Sequence, residues 1–256
     1  MKSIASGFCV AFSMYSALPM PQLKWEKATM RYALCFLPLV GVLVGGLEWG
    51  WHLLAVRLGM APLLYAVVAA LLPQFVSGGI HLDGLTDTCD ALCSYGDREK
   101  RLEIMKDPHV GAFGVFWMAA VLLLEIGLFA QIYDRPAALS AACIGFVLAR
   151  ALGGRAIVAL PCAKNTGLAH IFAENSERTR TRWTLTLEIL LCCALLLDWN
   201  LWVGGACVLL AALWMLGHAR LCKGTFGGIT GDLAGFLITT TEGLALAVAA
   251  LGGLLL

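Results

Sequence analysis

Charge is scarce in this chain: Asp, Glu, Lys and Arg make up 14% of its 256 residues, while 60% are hydrophobic. With a mean hydropathy of +0.81, a soluble domain of this length has no way to bury so much apolar surface, and lipid must cover the remainder. The amphipathic stripes of a soluble all-α core are lacking as well, since segments 63–80, 183–197 and 201–217 are apolar nearly all round. A cationic surplus is also missing. The formal net charge is +1, which excludes a nucleic-acid partner because a phosphate backbone needs a concentrated basic face. The ten cysteines form no CxxC pair and no Cys/His ligand spacing, so neither a disulfide framework nor a zinc site is indicated. Cys89 and Cys93, four apart beside an acidic motif, read as small apolar residues. The N-terminus lacks a small-x-small cleavage signature after its single Lys2 and the apolar run that ends at Pro19. Residues 3–18 are therefore expected to be retained as a half-length, re-entrant or interfacial segment.

What the chain does have is long apolar runs. Taking about 17–25 residues as one crossing of a roughly 30 Å hydrocarbon layer, about seven transmembrane helices are predicted near 33–57, 61–80, 113–133, 137–160, 183–198, 200–219 and 233–255. The expected fold is an all-α, polytopic helical bundle, with residues 1–256 forming a single membrane-embedded domain. Its connections alternate in character. Those at 58–60, 134–136 and 199 are very short, whereas 81–112, 161–182 and 220–232 are longer and polar. Lys24, Lys27, Arg31, Arg98, Lys100, Arg101, Lys106, Lys164, Arg178, Arg180, Arg182, Arg220 and Lys223 all fall on the side of the longer connections, against Arg57 and Arg135 opposite. By the positive-inside rule the first side is cytoplasmic. Trp25, Trp49, Trp51, Trp117, Trp183, Trp199 and Trp202 lie near predicted span ends, as interfacial aromatic belts require.

The most informative segment runs from Gly78 to Leu92 and contains His81-Leu82-Asp83-Gly84-Leu85-Thr86-Asp87-Thr88-Cys89-Asp90. On a helix, Asp83, Asp87, Asp90, Ser94 and Asp97 stand at i, i+4, i+7, i+11 and i+14, along one face. A solvated helix face ordinarily mixes both signs, yet no cation occurs from Gly78 until Arg98. Carboxylates so placed repel one another and call for a cation between them; hard oxygen ligands favour Mg²⁺, Mn²⁺ or Ca²⁺, with Mg²⁺ commonly shared with substrate phosphates. His81, at the mouth of the motif, has the chemistry of a ligand, a general base or a phosphate contact.

Downstream, Arg98, Arg101 and Lys106 are suited to neutralising phosphate oxygens beside such a metal, although their mixed-charge surroundings also fit a helix on the membrane surface that ends at Pro108. His109 and the glycines of Val110-Gly111-Ala112-Phe113-Gly114 would let a ligand or a neighbouring helix approach closely. A second loop, Lys223-Gly224-Thr225-Phe226-Gly227-Gly228-Ile229-Thr230-Gly231-Asp232, runs straight into the last span. Free amides at that helix start make an anion site, to which Asp232 adds a further metal ligand. Glu48, Glu125, Arg150, Arg155 and Glu242 lie deep in predicted spans, where charges face partners or polar cavities. Similar depth on consecutive spans predicts that Glu125 and Arg150 pair, with a substrate contact by Arg150 as the alternative.

On these residues the sequence resembles the cobalamin synthase family, also called adenosylcobinamide-GDP ribazoletransferase. The matching blocks are Leu18-Pro19-Met20-Pro21, Phe36-Leu37-Pro38-Leu39-Val40-Gly41, Gly78 through Asp90, and Arg101-Leu102-Glu103-Ile104-Met105-Lys106-Asp107 with Val110-Gly111-Ala112-Phe113-Gly114. Arg150, Gly167-Leu168 and Gly227-Gly228-Ile229-Thr230-Gly231-Asp232 with Glu242 complete the pattern, in family order through almost the whole chain. Ala91 and Lys164-Asn165-Thr166 depart from it. The resemblance implies the closing step of cobamide assembly in the inner or plasma membrane. The ribose 3′-hydroxyl of α-ribazole, or of its 5′-phosphate, attacks the phosphorus on the aminopropanol arm of adenosylcobinamide-GDP, and GMP leaves. It also implies a Mg²⁺ requirement. On that basis Asp83, Asp87 and Asp90 would hold one or two Mg²⁺ ions, with Asp232 completing the shell. Arg98, Arg101, Lys106, His109, Arg150, Lys223 and the loop formed by Gly227, Gly228, Thr230 and Gly231 would bind substrate, and His81 or a metal-adjacent carboxylate would take the proton.

Two other readings compete. A CDP-alcohol phosphotransferase also uses an Asp-rich helix and Mg²⁺, but with an Ala-Arg pair after its first aspartates that this sequence lacks. A secondary transporter would relay ions through Glu48, Glu125 and Arg150, yet repeated halves are not evident. The corrinoid-GDP, α-ribazole and membrane lipid are the expected partners; homo-oligomerisation is left open.

Overall fold

In the computed structural model, residues 2–254 are described. They fold into α1 (Lys2–Tyr15), α2 (Lys27–Met30), α3 (Leu37–Arg57), α4 (Pro62–Ser77), α5 (Ile80–Cys93), α6 (Arg98–Ile104), α7 (Ala112–Gln131), α8 (Pro136–Ala159), α9 (Leu168–Asn175), α10 (Arg178–Trp199), α11 (Leu201–Leu221) and α12 (Gly231–Gly252). A 3₁₀ turn at Ala33–Phe36 joins α2 to α3, and a π-helical turn at Cys222–Phe226 extends α11. Among the described residues no strand forms, and a single isolated bridge links Cys162 to Ile229. The helical bundle expected from the apolar runs is therefore observed. The predicted last span, 233–255, reaches one residue beyond the described residues.

Five segments are long and apolar enough to cross a membrane: Lys27–Arg57, α7, α8, Leu201–Phe226 and α12. α4 and α5 meet that test only together, and they are bent by 96° at Gly78-Gly79, which gives up to six crossings. Both glycines have positive φ, 63° and 79°, which makes so sharp a turn sterically cheap. α10 covers the predicted span 183–198, but Arg178, Arg180, Arg182, Glu188 and Asp198 make it too charged to be counted with the five. At 14 residues α1 is too short to cross. It packs on the 3₁₀ turn and α2, and the Ala17 amide donates to the Val76 carbonyl oxygen at 2.7 Å, beside the α4–α5 bend.

α8 and α12 form the centre of the bundle and are buried along most of their length, while α7 and α11 turn most of their surface outward. Leu123, Leu124, Leu190, Leu209 and Leu213 are exposed apolar residues on those outer helices and α10, as lipid-facing surfaces require. Trp183 and Trp202 are exposed near span ends, whereas Trp51 turns inward and donates to the Tyr65 carbonyl oxygen at 3.0 Å.

Charged groups at the centre are arranged differently from the sequence expectation. Arg150 is 0% exposed; it pairs with Glu242 of α12, not with Glu125, and also donates to the Phe146 carbonyl oxygen at 3.0 Å. Glu125 lies near this pair, and Glu48, 0% exposed, has no hydrogen-bond partner for either carboxylate oxygen. Depth along a span does not fix the rotation of a helix about its axis, and rotation selects the partner. Leaving a buried charge unpaired costs about 3–5 kcal/mol, whereas replacing a whole pair by apolar groups is often neutral. Glu242→Ala is therefore expected to lower stability in detergent by an amount of that order, and Arg150→Met with Glu242→Met to recover most of it. Equal unfolding midpoints for the single and double variants would show that the pair is not what stabilises this layer.

Candidate active site

The site is assembled where α5, α7 and α12 meet. α5 crosses α12 so closely that a Cβ added at Gly84 would lie 2.6 Å from the Asp232 carbonyl oxygen, and one at Gly235 would lie 3.2 Å from that of His81. This crossing sets Asp83 and Asp87 beside Asp232. α5 also holds the start of α7. The buried Asp90 carboxylate accepts from the amides of Gly111 at 2.7 Å and Gly114 at 2.9 Å, capping α7 with a negative charge at its positive dipole end. Any side chain at Gly111 or Gly114 would collide with Asp90, which accounts for the glycine spacing. Asp90 is thereby engaged in scaffolding through both oxygens. The Asp stripe ends there: α5 stops at Cys93, and Asp97 instead caps α6 by accepting from the Lys100 amide at 3.0 Å.

The remaining carboxylates are electrostatically coupled. α5 turns away from α4 at the bend and at 14 residues is too short to cross by itself; Asp87 lies two turns along it, in the stretch 81–112 that hydropathy reads as a polar connection. Partial burial, followed by the charges of Asp83, Asp232 and Asp90, pushes Asp87 up to about 7. Among the described residues no three His, Cys, Asp or Glu side chains are placed to hold a metal ion together. The donor set nevertheless suits Mg²⁺, which takes hard oxygens, binds through one or two carboxylates and completes its shell with water and substrate phosphate.

Two adjoining cavities open onto Asp232, and one of them also onto Asp83. One, of about 230 Å³, is lined by Tyr15, His81, Asp83, Gly231 and Asp232 among others. The second, of about 190 Å³, is lined by Lys106, Lys164, Thr166, His170, Thr230 and Asp232. Asp232 belongs to both walls. The first turn of α12 faces them, with Thr230 accepting from the Leu233 amide at 3.1 Å and the helix's leading N–H groups free of intrahelical partners. His81 is 4% exposed; its ring stacks on Tyr15 at 6.3 Å, and its Nε2 has no hydrogen-bond partner.

The three polar connections predicted to share one side do come together. Ala163 donates to the Ile229 carbonyl oxygen at 2.9 Å and Ile229 to that of Pro161 at 2.8 Å, so the second and third connections pair. Arg98 donates to the Ala163 carbonyl oxygen at 3.3 Å and lies directly over Gly227, where only a residue without Cβ leaves room for the guanidinium. Lys164 donates to the Leu102 carbonyl oxygen at 2.8 Å, tying its loop to α6; burial and the neighbouring Lys106 lower its pKa.

Several predicted substrate contacts stand elsewhere. His109 is 89% exposed and is paired with Asp107 at 2.8 Å, facing outward. Arg150 is sealed inside the bundle, Lys223 is exposed on the π-helical turn, and the Gly227 and Gly228 amides donate to the Cys222 carbonyl oxygen within that turn. Arg101 is half-buried with its Nε unpartnered. Lys164 and Tyr15 were missed. Lys164 gave a signal, as the one cation between Pro161 and Gly167, whereas Tyr15 reaches the site only because α1 folds back against the bend.

Helices that cross a membrane and carry a clustered carboxylate site at one end define a polytopic membrane enzyme. Residues 7–250 match the family model described as cobalamin-5-phosphate synthase, and the chain belongs to that family. It is similar to the adenosylcobinamide-GDP ribazoletransferase of Lachnoclostridium phytofermentans, 37% identical over 245 residues that cover 94% of this chain and 92% of the relative. The protein of that name from Pseudomonas putida is 37% identical over 256 residues, covering 94% and 98%. The one from Desulfitobacterium hafniense is 36% identical over 242 residues, covering 91% and 92%. No solved structure matches.

Two consequences are measurable. Asp90→Ala removes both bonds at the start of α7 and is expected to destabilise by about 1–3 kcal/mol, read as a lower unfolding midpoint in detergent. Asp87 has a folded pKa of about 7, above its ordinary value of 3.8. Its protonated form is favoured by folding, so the stability it contributes is present at low pH and lost as pH rises through about 7. Metal-free protein should therefore unfold at lower temperature at roughly pH 8 than at roughly pH 5, with Asp87→Asn flattening that slope and Mg²⁺ restoring the midpoint mainly at the higher pH. An identical slope in Asp87→Asn would assign the dependence to other groups.

Proposed function

We propose that the chain joins α-ribazole, or its 5′-phosphate, to adenosylcobinamide-GDP with release of GMP. It acts as a Mg²⁺-dependent phosphotransferase in the cell membrane (the inner membrane where there are two), with its site on the cytoplasmic side. The reading rests on one observation: Asp232, whose charge together with that of Asp83 acts on Asp87, lines both a cavity it shares with Asp83 and an adjoining one that carries Lys106, Lys164 and the start of α12. Such an arrangement pairs carboxylates for a divalent ion with cations and amides for a diphosphate. The excess of Lys and Arg on the connections at this end supports the cytoplasmic orientation.

Mg²⁺, held by one or two of Asp83, Asp87 and Asp232 with waters and substrate phosphate, would supply charge neutralisation of the diphosphate and polarisation of the phosphorus. Lys106 and Lys164 bind phosphate oxygens as point charges, and the first amides of α12 add dipolar stabilisation aimed at the same group. The ribazole hydroxyl oxygen forms the new bond to phosphorus while the bond to the GMP oxygen breaks. The hydroxyl proton passes to a carboxylate of the cluster or to His81 Nε2, which is free of other partners and shares a cavity wall with Asp83 but is made a weaker base by burial. Tyr15 stacked on the imidazole holds its plane. Cavities of about 190 and 230 Å³ admit the diphosphate and a sugar edge but not a corrinoid, so the macrocycle remains outside.

In purified enzyme supplied with both substrates, Asp83→Asn, Asp87→Asn and Asp232→Asn are each expected to lower kcat/KM by about 10²–10³. Lys164→Ala should act chiefly on KM for the GDP-bearing substrate, raising it by about tenfold. Near-normal turnover by the Asp83 and Asp87 variants across a Mg²⁺ titration would sink the metal role.

A further inference from the structure

We propose that a second site, separate from the catalytic cavities, binds the phosphate headgroup of an anionic phospholipid. It is a groove of about 630 Å³ lined by Lys27 and Arg31 on one wall and by Asn175, Ser176, Arg178 and Thr179 on the other. None of these residues lines the cavities around Asp83 and Asp232.

Three independent features point to a phosphate-type anion. The first is charge. Lys27, Arg31 and Arg178 face the groove, and the carboxylate among its lining residues, that of Glu177, is occupied by Arg180 at 3.4 Å. Arg178 directs its Nε to the Ala173 carbonyl oxygen at 3.2 Å, which leaves its terminal nitrogens for a ligand. Arg31 is steadied over the Tyr32 ring at 5.3 Å, and the Tyr32 hydroxyl accepts from Arg180 at 3.0 Å. The second is the start of α10. This 22-residue helix has no side-chain cap, so its leading N–H groups and its positive dipole end are presented at the groove. The third is Ser176. It lines the groove, is 6% exposed, and its hydroxyl has no hydrogen-bond partner, an arrangement that costs stability unless a ligand accepts from it.

The source of the anion follows from position. The groove sits at the polar end of the bundle, where α10 passes into its apolar stretch from Trp183 onward. Trp25, 43% exposed, precedes the groove residue Lys27 by two positions and packs on Phe172 of α9 at 6.2 Å. A half-exposed indole at the edge of a cationic groove is the pattern of an interfacial anchor, and clustered Lys and Arg at a bilayer surface recruit anionic headgroups.

The test measures binding of a short-chain phosphatidylglycerol to the full-length protein in neutral detergent by native mass spectrometry. Phosphatidylcholine of the same chain length and inorganic phosphate serve as competitors. Wild-type protein is expected to bind one phosphatidylglycerol in preference to phosphatidylcholine. Arg31→Gln with Arg178→Gln should weaken binding by about tenfold, and Ser176→Ala should weaken it to a lesser degree. Arg31→Lys with Arg178→Lys retains the charge and should bind near the wild-type level, which separates loss of charge from loss of fold. The proposal is overturned if phosphatidylcholine binds equally well, or if the Gln pair and Ser176→Ala bind as wild type. It is also overturned if inorganic phosphate at equal concentration displaces the lipid, which would mark a site for free anions.

Discussion

Forcing like charges together is the constraint on which this structure depends. Asp83, Asp87 and Asp232 would separate if their backbones were free, because nothing near them among the described cations is bonded to them. They are held together by packing. α5 leaves α4 at 96°, meets α12 where Gly84 allows backbone contact, and is locked at its far end by the Asp90 carboxylate on the amides of α7. One helix thus uses one aspartate for scaffolding and sets two beside Asp232. On the proposed reading that repulsion would draw a divalent ion in together with substrate, because among the described residues no three such side chains are placed to hold one by themselves.

The same separation of roles recurs inside the bundle. Arg150 and Glu242 are buried together at the junction of α8 and α12, the two most enclosed helices, while Glu48 and Glu125 approach from α3 and α7. A pair so deep adds little net stability compared with well-packed apolar groups, yet it penalises every arrangement that separates its members. It therefore fixes the rotation of α12 relative to α8. That rotation determines which way Asp232, at the first turn of α12, faces. The catalytic end and the apolar middle are linked through the rigidity of a single helix.

The apolar runs, the shared side of the three polar connections and the local spacing of Asp83 and Asp87 were legible in the sequence, because each depends on neighbours along the chain. Asp90 was misplaced in role for a physical reason: helical spacing puts it on the same stripe, but its partners lie 21 and 24 residues downstream, and only tertiary packing brings them to it. Extending the stripe to Asp97 failed because α5 ends at Cys93 and the chain turns at Gly96, so periodicity was read past the end of the element that carries it. The choice of Glu242 over Glu125 for Arg150 was equally hidden, since both sit at usable depth and the sequence does not encode helix rotation directly. Tyr15 joined the site through the fold of α1, which hydropathy placed only as a short apolar segment.

The size of the cavities constrains the order of events. Two spaces of about 190 and 230 Å³ meet at Asp232, and a wider groove of about 580 Å³ reaches Asp83 from the side of the α4–α5 bend. On the proposed reading, a substrate as large as a corrinoid nucleotide would thread its diphosphate toward Asp232 with its bulk outside, over the mouth of the inner cavities. The smaller ribazole partner would then have the groove beside the bend as its remaining approach to Asp83. The groove is lined mostly by apolar residues, Ile80, Leu82, Val110, Val115 and Met118, which suits an aromatic base better than a second polyanion. Separate approaches to one carboxylate cluster would suit an in-line displacement at phosphorus, which needs the attacking oxygen on one side and the departing nucleotide on the other.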